Sequence, residues 1–261
     1  MLLTGVVGGV LAGLLGVGGG IVIVPVLEVV LSILKVDPAV RMHVAVATSQ
    51  ATIILTSISS TRAHLQRGSV DTALVRSWAV AMFLGAIAGV IVAGRVPGGV
   101  LSAVFAAVAL LVAIKMMLPL DDRPLAQGIP RGPATQIVPG TIGALSSMMG
   151  IGGGTLSVPI MTLLNQPIHR AVGTAALFGL FISVPATVGF VVAGLDTPSL
   201  PAGSLGFVNL IGFACIAPMT MLAAPWGARI AHGLKKRQLS ILFGIFLFIV
   251  AMRMFYRAMN G

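Results

Sequence analysis

Charge is scarce in this chain. Of its 261 residues, 8% are Asp, Glu, Lys or Arg and 57% are hydrophobic, whereas a soluble domain carries roughly a quarter charged residues. Water is excluded as the main solvent, and a lipid bilayer is the expected one. Acids are scarcer than bases, with 6 Asp and Glu against 16 Lys and Arg. The bases lie between apolar runs and form no stripe interleaved with aromatics, which argues against nucleic acid as a partner. The single cysteine, Cys215, excludes an intramolecular disulfide and a multi-thiolate metal site. No Cys/His cluster has zinc spacing, and no nucleotide-binding or other cofactor motif is present, so a metalloenzyme is not expected. The N-terminus lacks a charged leader, and its first apolar stretch recurs later, so it reads as mature structure rather than a signal peptide.

What the chain has is continuous apolar runs, such as the uncharged stretch from Ala171 to Val192, of the length a spanning helix needs (about 20 residues). The runs do not alternate as barrel strands do. The expected fold is all-α and integral to the membrane.

The runs come in two related sets. Gly9–Leu27 and Gly143–Met161 align in register, with Gly9, Leu11, Gly16, Gly18, Gly19, Gly20, Val24 and Pro25 identical in the second copy. Downstream, His43-Val-Ala-Val-Ala-Thr48 pairs with His169-Arg-Ala-Val-Gly-Thr174. Leu101, Ser102 and Phe105 weakly match Leu239, Ser240 and Phe243. The expected organisation is a first membrane repeat over 1–118, a Pro- and charge-rich linker over 119–133, and a second repeat over 134–261. Each repeat holds a Gly-broken segment (about 2–34 and 134–165) and three unbroken ones (about 42–62, 74–94 and 99–118; 169–193, 205–229 and 238–256).

A straight helix over 2–34 would be about 50 Å long, too long for a core of about 30 Å. Its GVGGG centre is a poor helix interior, since each Gly costs roughly 1 kcal/mol relative to Ala. A re-entrant hairpin fits better. Charge placement agrees. Single spans would divide the Lys and Arg residues evenly. Re-entry puts Arg62, Arg67, Arg76, Lys115, Arg123, Arg131, Arg170, Arg229, Lys235, Lys236 and Arg237 on one side, leaving Lys35, Arg41, Arg95, Arg253 and Arg257 on the other. Cytoplasmic loops carry the basic excess, so both termini are expected outside. Three spans plus a hairpin per repeat also make the repeats inverted, the plan of many secondary transporters.

At such turns, Gly16, Gly18, Gly19 and Gly20, with Gly150, Gly152, Gly153 and Gly154, would bring helix starts at Ile21 and Thr155 into the interior. Their unsatisfied N–H groups favour a small anion without a buried Arg. The competing reading is close packing by small residues. Thr48 or Ser49, Thr52, Thr56 and Ser59 form a stripe whose hydroxyls are expected mainly to bond neighbouring backbone. Thr48 and Thr174, being duplicated, are kept as binding candidates with Ser49 and Gln50. Gln50 serves either an anion or a helix contact. Candidates for coupling or gating are Glu28, an acid inside an apolar segment, and the pairs His43 with Arg41 and His169 with Arg170. Interfacial anchoring is the stronger reading of the histidines, and Trp78 and Trp226 suit the same role.

The motif Gly13-Leu-Leu-Gly-Val-Gly-Gly-Gly through Val24-Pro25, with its echo from Gly150 to Pro159, resembles the sulfite exporter TauE/SafE family over nearly the whole chain. The resemblance implies a bacterial or archaeal inner-membrane permease for sulfite, a sulfonate or another organosulfur acid. It carries over the eight motif glycines, with Pro25 and Pro159 as structural residues and Thr48 and Thr174 beside them. Proton or sodium coupling, a homodimer, an anion channel and a carrier for non-sulfur carboxylates stay open.

Overall fold

A computed structural model describes residues 19–117, 133–233 and 236–260. Among them, nine α-helices follow one another. The first half holds α1 (Gly20–Ile33), α2 (Pro38–Gln66), α3 (Thr72–Ala93) and α4 (Gly98–Met117). A 3-10 turn (Pro133–Gln136) leads into α5 (Ile137–Met149), followed by α6 (Gly154–Leu163), α7 (Ile168–Gly194), α8 (Leu210–Gly233) and α9 (Lys236–Asn260). A short antiparallel hairpin, β1 (Ser204–Leu205) with β2 (Val208–Asn209), precedes α8. The chain is an all-α membrane protein, in which α2, α3, α4 and α7 are each long and apolar enough to cross a bilayer. The first arm of the first broken segment, with Gly16 and Gly18, and the linker apart from Pro133 lie outside the described residues.

The helix ends follow local chemistry. Asp37 accepts from the Ala39 N–H at 2.9 Å, with Pro38 as first helical residue, and Asp71 accepts from the Leu74 N–H at 3.0 Å. Both are standard N-caps. At the other end, α1 and α6 close alike. Lys35 (φ 56°) and Asn165 (φ 63°) are left-handed; Val36 N–H donates back to Leu31 O, and Gln166 N–H to Met161 O. That shared closure is a structural echo of the repeat.

The bundle is called lower at the Arg67 end of α2 and upper at the Arg41 end. Helix α7 lies antiparallel to α2, with Gly179 against Ser57 and Gly173 against Ser69. It runs parallel to α3, with Gly189 against Val90 and Gly94 against Ala193. Helix α9 lies antiparallel to α4: Gly244 meets Met117 and Ala113, and the Arg237 guanidinium donates to Met117 O at 2.9 Å. The repeat mates α2 and α7, and likewise α4 and α9, are thus packing partners of opposite direction.

Glycine seams set the closest approach. Gly85 meets the Gly140 backbone, Gly89 the Ala144 backbone, and Gly143 the Met82 carbonyl. A side chain at Gly85, Gly89 or Gly143 would collide with main chain, so α3 and α5 touch backbone to backbone, as small residues permit in membranes. This seam runs parallel, so α5 rises from the lower end. Since α7 starts at the lower end, α6 must descend to it. The α5–α6 pair is therefore a hairpin entering and leaving on one side. Helix α1, in contrast, rises to the upper end, where α2 begins.

Large apolar side chains face outward along these helices, among them Val80, Leu84, Leu111, Val188 and Ile249, a surface suited to lipid rather than water. Trp78 departs from its expected interfacial role. It is 2% exposed and stacks on Phe178 at 6.0 Å, because α3 turns that face toward α7. Trp226 is exposed.

Candidate functional site

The two glycine turns meet. A methyl group on Gly20 would lie 2.7 Å from the Gly150 carbonyl oxygen and 2.8 Å from Ile151 Cα. Gly150 ends α5 in the left-handed region (φ 67°), and Gly19 precedes α1 in the same region (φ 77°); both conformations favour glycine. The repeat is not conformationally perfect, since Gly153, the mate of Gly19, has φ −54°. Neither Gly19 nor Gly153 supplies a side-chain cap. Helices α1 and α6 begin at Gly20 and Gly154, one residue before the expected Ile21 and Thr155, and their first intrahelical bonds run to Gly19 O and Gly153 O. The amides ahead of those bonds are the groups a ligand can use.

Next to the second turn is a cavity of about 30 Å³, two to three times what a water needs (roughly 10–15 Å³). Gly152, Gly153 and Gly154 form one wall; Ile53, Thr56, Ser57 and Ser60 of α2 and Gly179 of α7 face them. Ile53 and Gly179 fall near the middles of their long helices, so the cavity sits deep in the bundle, toward its lower half. Among the described residues, no charged side chain lines it. The sequence reading did not single out Ser57, Ser60 and Gly179. The stripe that was singled out is mostly self-satisfied: Thr52 donates to Thr48 O at 3.0 Å and Thr56 to Ile53 O at 3.1 Å, while Ser59 is exposed.

Thr48 and Thr174 hold the halves together. The Thr48 hydroxyl accepts from the Asn209 N–H at 3.0 Å, and the Thr174 hydroxyl from the Asp71 N–H at 2.9 Å. Asn209 and Asp71 do matching work, each capping the turn that follows through Gly212 N–H (2.7 Å) or Leu74 N–H (3.0 Å). Each duplicated threonine of one repeat thus docks a helix start of the other. Thr48→Val and Thr174→Val should each cost about 1 kcal/mol, and the double variant the sum, because the docks are independent. Chemical or thermal melting of the three variants measures this.

Ser49 and Gln50 act on the end of α5. Ser49 donates to Gly150 O at 2.7 Å, and the Gln50 amide to Ser146 O at 3.0 Å and Ser147 O at 3.3 Å. Gln50 therefore makes the helix contact, leaving its own carbonyl oxygen buried without a partner among the described residues. The Thr155 hydroxyl is likewise buried and has no partner among the described residues. Pro25 and Pro159, sixth in their helices, lack the N–H that would bond the carbonyls of Ile21 and Thr155.

The coupling candidates separate into two settings. Glu28 is buried near the upper end with Arg41 at 3.9 Å and Arg253 of α9 at 3.8 Å. Arg41 is itself held by Val36 O and Ser32 Oγ. His43 is no interfacial anchor: it is buried, stacks on Phe207 at 4.9 Å, and places Nε2 3.1 Å from both Ala93 O and Val96 O. His169 and Arg170 are exposed at the lower end, so the histidines share a sequence position and not an environment. A wider upper cleft lies between Lys35, Asp37, Ser199 and Asn209.

Fold and cavity define a polytopic helical membrane protein with a small interior site whose described lining combines glycines, three hydroxyl side chains and apolar groups without a charge. A family model for "Sulfite exporter TauE/SafE" matches residues 1–254. A "Probable membrane transporter protein" of Haemophilus influenzae is 33% identical over 258 residues, covering 98% of this chain and 97% of that protein. The "Probable membrane transporter protein YunE" of Bacillus subtilis is 26% identical over 275 residues, covering 98% and 96%. No solved structure matches the chain. The chain belongs to the sulfite exporter TauE/SafE family, a family of membrane transporters.

Proposed function

We propose that this protein is a secondary transporter for a small anion, sulfite or a sulfonate, bound in the cavity at the Gly152–Gly154 turn and exposed alternately to the two faces of a bacterial or archaeal inner membrane. The observation that carries the proposal is the meeting of three features at one place. The start of α6 offers N–H groups and the positive end of its dipole, Ser57 and Ser60 add hydroxyls, and the wall has no fixed positive charge among the described residues. An anion bound by dipoles alone is readily released, as a carrier requires, and no buried cation need be desolvated at bilayer depth.

Alternating access is supported by the opposite directions of α2 and α7 and of α4 and α9, which suit two inverted repeats rocking about a shared middle. The chain has no nucleotide-binding motif, so the energy comes from an ion or substrate gradient or from a separate subunit, with protons and sodium as the candidate coupling ions. The lower, base-rich end faces the cytoplasm under the positive-inside rule, which puts both termini outside.

Counterflow in proteoliposomes tests this reading. Vesicles preloaded with unlabelled sulfite should transiently accumulate labelled sulfite above equilibrium. Simple equilibration without overshoot would make the protein a channel, and overshoot with carboxylates alone would remove sulfur from the assignment.

A further inference from the structure

Ile53 reaches both glycine turns. A methyl on Gly20 would lie 2.8 Å from Ile53 Cδ1, and one on Gly152 would lie 3.3 Å from Ile53 Cγ2. The side chain is fully buried and lines the cavity. The register that pairs His43 with His169 and Thr48 with Thr174 makes Gly179 the repeat mate of Ile53, and Ser183 the mate of Ser57. Where α7 presents Gly179 to the second turn, the helix contributes no side chain, and the Ser57 hydroxyl borders the cavity there. Where α2 presents Ile53 to the first turn, a branched side chain occupies the equivalent volume. Ile53 therefore forms the wall between the cavity and Gly20.

We propose that Ile53 determines the size of the anion: its side chain walls the cavity opposite Gly152 and, of the anions proposed above, selects compact sulfite over sulfonates with an organic tail. This rests on the anion site proposed above. Trimming Ile53 extends the cavity toward Gly20 and admits those sulfonates.

The test titrates apparent melting temperature with sulfite and with ethanesulfonate for wild type, Ile53→Ala and Ile53→Val. One added methylene against an apolar wall is discriminated by about tenfold or more. Wild type should prefer sulfite by at least that factor, Ile53→Ala should bring the two within about threefold, and Ile53→Val should fall between. An Ile53→Ala protein that melts cooperatively, binds sulfite and keeps the wild-type preference would overturn the proposal. If Ile53→Ala does not fold, an unchanged preference in Ile53→Val overturns it instead. Wild type that responds to no anion would remove the anion site itself, an outcome distinct from a retained preference in the variants.

Discussion

Gly150→Ala is expected to destabilise the protein by about 2–5 kcal/mol, the largest effect among single-methyl additions at the glycine turns. Two causes add. The left-handed conformation (φ 67°) costs an L-residue roughly 1–2 kcal/mol. The new Cβ also has nowhere to go, lying 2.8 Å from Val46 Cα, 3.0 Å from Val46 O and 2.8 Å from Val24 Cγ2. Two of these contacts are main chain of α2, which yields only by moving the whole helix, and overpacking of this kind costs about 1–3 kcal/mol. The apparent melting temperature should fall by on the order of 10 °C. Gly140→Ala is the matched control. Its Cβ meets only Ala81 O, at 3.7 Å, and it sits inside α5, where alanine is the better helix former by roughly 1 kcal/mol. A Gly150→Ala protein as stable as Gly140→Ala would show that the turn is not built as described.

The second large effect belongs to Gln50. Its amide donates to Ser146 O and Ser147 O from fully buried surroundings, closing the end of α5 from a helix of the other repeat. Gln50→Leu should cost about 1–3 kcal/mol, the range for buried polar groups left without a donor. The cost belongs in the lower part of that range, because Ile151 N–H and Gly150 N–H still reach the same two carbonyls. Gln50→Glu should cost more, since it sets a carboxylate acceptor against two carbonyl acceptors. Melting of the purified variants orders them; Gln50→Glu as stable as wild type would contradict the geometry.

These predictions rest on features unequally visible in the sequence. Continuous apolar runs define the helices, because spanning segments carry their own length and composition, and α2, α3, α4 and α7 fall where the runs lie. The glycine break is legible for the same local reason: a Gly cluster cannot be helix interior, and its recurrence with Pro25 and Pro159 marks it as architecture. What the sequence cannot carry is the pairing of distant groups. Nothing near Thr48 points to Asn209, nor anything near Thr174 to Asp71, yet repeat symmetry makes the two contacts counterparts once either is seen. Glu28 is legible as an unusual acid, but Arg253, which shares it with Arg41, is remote in the chain. His43 and His169 mislead as a pair, because equal positions in a repeat guarantee equal backbone roles and not equal burial. Ser57 was within reach: its mate Ser183 repeats it in register, a signal as good as that of Thr48 and Thr174.

The most direct test of the account is sulfite-dependent thermal stabilisation of the detergent-purified protein, compared between wild type and Gly179→Ala. The added Cβ meets the flexible Ser57 hydroxyl rather than main chain, so it alters the cavity without breaking the fold. Binding to the native state must raise the melting temperature, by about 2.7 kcal/mol of stability at a hundredfold excess over Kd. Wild type should shift with sulfite, and Gly179→Ala should melt at nearly the same temperature without anion and fail to shift. Equal shifts in both proteins would place the anion elsewhere, and no shift in wild type would contradict binding at the glycine turn.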